Sequence, residues 1–151
     1  MNKNSVNADE ALKISSEISV LTSGISMEPM LREHRDIAVV ERVNRKLKKN
    51  DVPLYRKAGC SQLVLHRIIK VTDNGYVIRG DNLYRKEYDV KDEDIVGVLK
   101  AFYRKGKYYD CAKSKKYHIY IVLNRLGFPF RYFWAIKLKP FLAKIKHLII
   151  K

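Results

Sequence analysis

Ser26, His66 and Asp81 each stand in a short stretch of pointed composition: Gly24-Ile25-Ser26-Met27-Glu28-Pro29, Leu65-His66-Arg67-Ile68 and Gly80-Asp81-Asn82. A serine hydroxyl is a weak nucleophile until a neighbouring base takes its proton as the new bond forms. A neutral imidazole suits that task, and a carboxylate on its far nitrogen fixes the tautomer and stabilises the imidazolium that follows. Each stretch alone is ordinary. Serine before proline is a common turn, and histidine in an apolar run is commonly a core residue bonded to backbone. Gly-Asp-Asn is a turn tripeptide, because glycine tolerates positive φ and Asp and Asn bond their own backbone. Their joint occurrence, in this order and with strand-like runs between, points instead to a nucleophile, a base and an orienting acid.

These motifs resemble the type I signal peptidase family in its serine–histidine branch, and most closely the short single-domain members without an N-terminal membrane anchor. The likeness spans roughly residues 20 to 100. Beyond the three stretches already quoted, it includes Arg35-Asp36-Ile37-Ala38-Val39-Val40, Lys49-Asn50-Asp51-Val52 and Glu93-Asp94-Ile95-Val96-Gly97-Val98. The resemblance implies a serine endopeptidase that cleaves precursor or leader peptides after small residues, with no metal or organic cofactor. It makes Ser26 the nucleophile, its backbone N–H an oxyanion donor, His66 the general base and then the acid, and Asp81 the orienting carboxylate. Gly24, Met27 and Pro29 then shape and seat the nucleophile's turn.

Three departures stand out. Some relatives carry a serine hydroxyl two residues before the nucleophile, where this chain has Gly24. The histidine branch often has a second aspartate after the Gly-Asp-Asn box, a place that Glu87 or Asp89 could fill as an auxiliary carboxylate. Lys70 is a second candidate base from the same strand face as His66, but it is out of register with the family's lysine and ranks below it.

The elements that must carry these residues are largely short strands. Asn7 with Glu10 reads as a capping box, and Ala11, Ile14, Ile18 and Leu21 give one apolar face to a helix over 8–21. Strands are expected at 36–43, 51–57, 62–72, 76–80, 95–104 and 107–110, with Asp73-Asn74-Gly75 turning a hairpin. The fold class is mainly β: a coiled, antiparallel, partly closed sheet with an N-terminal helix and a basic helical tail.

A chain of 151 residues is long enough for one core. Cys60 and Cys111 lack metal-ligand spacing and are read as unrelated thiols. The first ten residues are polar and no stretch is long and apolar enough to span a bilayer. Neither a cleavable leader nor a membrane anchor is therefore expected, which fits a cytoplasmic or peripheral membrane placement in a bacterium. From Cys111 onward there are ten Lys/Arg, no Asp/Glu and eight of the sixteen aromatics. A boundary is set there, between a catalytic region over 1–110 and a tail over 111–151. Pro129 and Pro140 are expected to divide that tail, leaving Phe141, Ile145, Leu148 and Ile149 on one face of a basic interfacial helix.

The partners expected are a peptide or protein precursor and, through the tail, an anionic membrane surface. A net charge of +15 also invites nucleic acid, but that reading leaves the three motifs unexplained. A non-enzymatic basic protein on a peptidase-like fold is the alternative. Self-cleaving repressor relatives use a lysine base and an upstream DNA-binding module, and neither is evident here.

Overall fold

The structure is a computed structural model and describes residues 4–59 and 62–138. Its first unit runs to Ser114 and its second begins at Lys115. The first unit is mainly β, built as two antiparallel sheets, one of them a strongly curled half-barrel. Along the chain come helix α1 (Asn4–Ile14), then β1 (Glu17–Leu21), β2 (Ile37–Glu41), β3 (Pro53–Arg56), β4 (Leu63–Leu65) and β5 (Arg67–Thr72). After these follow β6 (Gly75–Arg79), β7 (Glu87–Val90), β8 (Ile95–Arg104) and β9 (Lys107–Asp110). The larger sheet has the order β1-β2-β8-β3-β4, with β9 also paired to β8, and the smaller is β5-β6-β7.

The long central strand β8 fits its sequence. Gly97, Val98, Leu99, Ala101 and Phe102 are buried along it, and β2, β3 and β9 all pair with it. A Cβ on Gly97 would stand 2.6 Å from Val40 Cγ1 and 3.0 Å from Leu12 Cδ1, so α1 lies close over the sheet there. Tyr55, Ile68, Tyr76, Ile78 and Val98 fill a common core that spans both sheets.

The helix expected over 8–21 is shorter and earlier. It ends at Ile14, Asn7 lies inside it rather than capping it, and 17–21 is strand β1. Ile18 and Val20 there are half-buried between exposed neighbours, the period of a strand, and every residue from Glu17 to Leu21 has a partner on β2. Leu12 is the buried anchor of α1, while Ile14 of the expected face is exposed. The run expected at 62–72 is two strands, divided at His66. Strand β7 lies in what reads as a polar loop and pairs with β6. The hairpin at 73–75 is present, with Thr72 opposite Gly75.

In the second unit, α2 (Lys115–Tyr132) contains Pro129 in its interior and continues as wider π-type turns over Phe133–Leu138. Pro129 therefore does not divide the tail, although it removes one backbone donor. Pro140 and the face expected over 141–149 lie outside the described residues, as does Cys60. No helix among the described residues is long and apolar enough to cross a membrane.

The loop between β1 and β2 carries Ser26 and is tied at its neck. Thr22 N–H donates to Asp36 O and His34 N–H to Thr22 O, while Thr22 Oγ1 donates to Arg32 O at 2.7 Å. The Asp36 carboxylate, 0% exposed, accepts from the Arg32 backbone N–H and from both its Nε and Nη2. Burial alone would raise the Asp36 carboxyl, but these Arg32 contacts hold it below its ordinary value of 3.8. Its stabilising effect is thus present above that value and lost as the pH falls through the lower folded one. Replacing Asp36 by Ala leaves a guanidinium and a backbone donor unpaired. It is expected to cost about 3 kcal/mol, read as a lower urea midpoint with an unchanged slope.

Candidate active site

Ser26 sits near the start of this loop, just after Gly24, whose φ of 80° is the left-handed conformation that favours glycine. Gly24 N–H donates to Glu33 Oε1 at 2.9 Å, fixing the turn from outside. Met27, Met30 and Leu31 are buried, so apolar side chains root the loop while Ser26 stays half-exposed. Met27 therefore seats the serine by packing. Neither the Ser26 hydroxyl nor its backbone N–H is hydrogen-bonded to another described residue, leaving both available to an incoming carbonyl.

The Gly80-Asp81-Asn82 turn clamps this loop from the other side. Asn82 N–H donates to Ser26 O at 2.8 Å and its Nδ2 donates to Ile25 O at 3.1 Å. Asp81, 2% exposed, receives Arg67 Nε at 2.8 Å and Nη2 at 2.7 Å. Arg67 also donates to Asn50 O and to the sulfur of Met30, at the root of the serine loop. A Cβ on Gly80 would lie 2.7 Å from the Ser26 carbonyl oxygen and 3.1 Å from His66 Cδ2. Only a residue without a side chain allows the serine loop and the imidazole to come this close together.

His66 lies at the junction of the sheets, between β4 and β5, and is 2% exposed. Its Nδ1 is 3.0 Å from Glu87 Oε1 and 3.1 Å from the Tyr55 hydroxyl, which itself donates to Glu87 Oε2 at 2.9 Å. Lys57 Nζ pairs with the same carboxylate at 3.1 Å. Donation from Nδ1–H to Glu87 satisfies this network and leaves Nε2 unprotonated, as a general base requires. Burial pushes the imidazole below its ordinary 6.5 and outweighs the opposing influence of Glu87, so the ring is neutral at pH 7. Burial would raise the Glu87 carboxyl, yet Lys57, Tyr55 and His66 together hold it below 4.5. Burial beside Glu87 raises the Tyr55 phenol, so it remains a proton donor.

A cleft of about 310 Å³ opens beside Ser26. Val20, Leu21, Leu63, Val64 and Leu65 line it, with Ala38 and Leu54 contributing from β2 and β3. These residues come from β1 and β4, the two outer strands of the curled sheet, so the cleft is the gap where the barrel fails to close. Thr22, Ser23 and Gln62 add polar groups to its wall. The Thr22 hydroxyl is already spent on backbone carbonyls, leaving Ser23 and Gln62 as side-chain donors beside the N–H of Ser26.

The structure brings the Ser26 backbone carbonyl and the His66 ring edge to the same face of Gly80, with no hydrogen bond joining Ser26 Oγ to the ring; such contacts often lengthen without substrate. Asp81, expected to orient His66, instead forms the ion pair with Arg67, and Glu87 occupies Nδ1. This arrangement has a geometric cause. Strand β7 brings Glu87 alongside the sheet junction, whereas Asp81 follows β6 directly and meets Arg67, whose register partner is Arg79. Asp89 is exposed on β7. Lys70 is exposed while His66 is buried, because a bulge between Ile68 and Lys70 shifts the register, so the two do not share a face. Tyr55 and Lys57 carry no motif in the sequence that marks them, and the clamping role of Asn82 is not readable there. Only Asn82 had a signal there, its place in the turn box. No group of three or more His, Cys, Asp or Glu among the described residues is placed to hold a metal ion.

No protein-family model, curated protein or solved structure matches the chain.

Gly80→Ala is expected to keep the fold, by circular dichroism, while forcing Ser26 and His66 apart. Hydrolysis of a peptide-ester reporter should fall about a hundredfold. Glu87→Gln should lower kcat by a comparable factor and move the acid side of the pH profile to lower pH, since the group that raises the imidazole is lost. Asp81→Asn should move that profile in the same direction but by less, since the Asp81 charge also raises the imidazole and does so more weakly than Glu87.

Proposed function

We propose that the chain is a serine endopeptidase of the signal peptidase type, a hydrolase that processes precursor or leader peptides. The observation that carries this reading is a neutral, buried imidazole held at Nδ1 by a carboxylate, whose other edge borders, with the backbone of a half-exposed serine, the space a side chain on Gly80 would fill. Ser26 Oγ attacks the scissile carbonyl carbon while its proton passes to His66 Nε2. The oxyanion that forms is met by the Ser26 N–H and a second donor on the cleft wall, Ser23 or Gln62. His66 then gives its proton to the departing amine, leaving the N-terminal part of the substrate esterified to Ser26. Water, activated by the same nitrogen, hydrolyses the ester and restores the hydroxyl.

Glu87 and Tyr55 are positioning groups in this scheme, holding the ring in one tautomer and stabilising the transient imidazolium. The substrate lies in an extended conformation. The outer edges of β1 and β4 offer unpaired backbone groups on both sides of the cleft, and a peptide strand can pair with such edges. The apolar walls formed by Leu21, Leu54 and Val64 favour small, uncharged side chains next to the cut.

Co-expression with candidate precursors from the same cell tests the reading. The native chain should process one of them, Ser26→Ala should process none, and His66→Ala should be slower by at least about a hundredfold. Equal processing by the native chain and both variants would overturn it. The reaction should also persist into mildly acidic conditions. Because burial places the His66 pKa below 6.5, the acid limb of kcat/KM should have its midpoint below that pH. Lys70→Ala should leave the rate unchanged.

A further inference from the structure

We infer that helix α2 is a docking surface for an anionic lipid bilayer and lies along the membrane interface rather than across it. The inference does not depend on the peptidase reading. Ile119, Val122, Leu123, Leu126 and Phe130 are all exposed and recur at spacings of three, one, three and four residues. They form a single stripe about 100° wide. The exposed Phe133 and Trp134 extend it into the π-type turns. The opposite side of the helix is the less exposed one, with Tyr117 buried and Tyr120, Ile121, Asn124 and Phe128 half-buried. An amphipathic helix of a globular protein normally hides its apolar stripe. This one presents it.

Charge selects the occupant. Lys115, Lys116, Arg125 and Arg131 are the ionised side chains of α2, and no Asp or Glu occurs anywhere from Cys111 to the end of the chain. Two such segments repel one another, which disfavours a second copy as the cover. A nucleic acid would meet the cations but leave the aliphatic stripe in water. An anionic bilayer satisfies both features, because its headgroups attract the cations and its acyl boundary takes the Leu, Ile, Val and Phe side chains. Trp134, exposed at the end of the stripe, is of the residue type enriched at the level of the headgroups.

Trp134 is the sole tryptophan, so its emission reports directly on this surface in the full-length chain. Vesicles of phosphatidylglycerol mixed with phosphatidylcholine should shift that emission to the blue, and brominated lipid should quench it. Leu123→Glu with Leu126→Glu should weaken partitioning at least tenfold without altering the circular dichroism. Each of Lys115→Gln, Lys116→Gln and Arg125→Gln should weaken it about fivefold. Ser26→Ala should bind as the native chain does, which separates this test from that of the peptidase reading. The inference is overturned by the absence of any shift with anionic vesicles, or by equal binding to pure phosphatidylcholine. A lipid-free dimer that the Leu123/Leu126 double variant dissolves would also overturn it.

Discussion

Burying an imidazole costs its charged form the most, and the side chains packed around His66 answer that cost. A general base must be neutral at rest yet able to accept a proton for the lifetime of a transition state. Desolvation secures the first condition and lowers the pKa, while a carboxylate at hydrogen-bond distance keeps the second within reach. Glu87 can do this only because Tyr55 and Lys57 satisfy it in turn, so that a partly buried carboxylate remains ionised. A group of four side chains drawn from β3, its outgoing loop, the sheet junction and β7 is thus one electrostatic unit. Removing any member changes the proton affinity of the others.

The dipeptide His66-Arg67 shows how the backbone divides two tasks between neighbours. The histidine turns toward Glu87 and Tyr55, and the arginine toward Asp81 and the sulfur of Met30. One residue thereby engages the Glu87 network while the next fixes the Gly80 turn and the root of the serine loop. The Arg67–Asp81 pair is almost fully buried, and a buried ion pair brings little net stability compared with apolar packing. Its contribution here is positional. It holds in place a turn whose backbone bonds to Ser26, so Ser26 and His66 share one support, the preorganisation that the proposed chemistry would require.

What could be read from the sequence follows from the range of the forces involved. Local signals were sufficient for the Asp73-Asn74-Gly75 hairpin and for strands β8 and β9, where branched and aromatic runs are bounded by turns. Ser26 and His66 stand out in the sequence only through the joint order of their short motifs, since each stretch alone is ordinary. Residues 17–21 misled because Ile18 and Leu21 fit a helical stripe, whereas the backbone is satisfied by a partner strand twenty residues away. Pro129 misled because local propensity makes it a breaker, yet α2 tolerates a missing donor. The identity of the carboxylate on His66 was illegible for a related reason. Asp81 and Glu87 both follow β6 and either could reach the ring in an unfolded chain. The return of β7 along β6 decides between them, and β7 is a short polar strand with little signal of its own.

The central claim is that Ser26 is made nucleophilic by His66, and the most direct measurement is the rate at which a serine-directed phosphonate modifies the intact protein. Peptide mapping by mass spectrometry identifies the modified residue. The account predicts one adduct per chain, located on Ser26, forming at neutral pH and slowing sharply when His66 is replaced by Ala. Modification spread over several serines, or of Ser26 at the same rate with and without the imidazole, would contradict it.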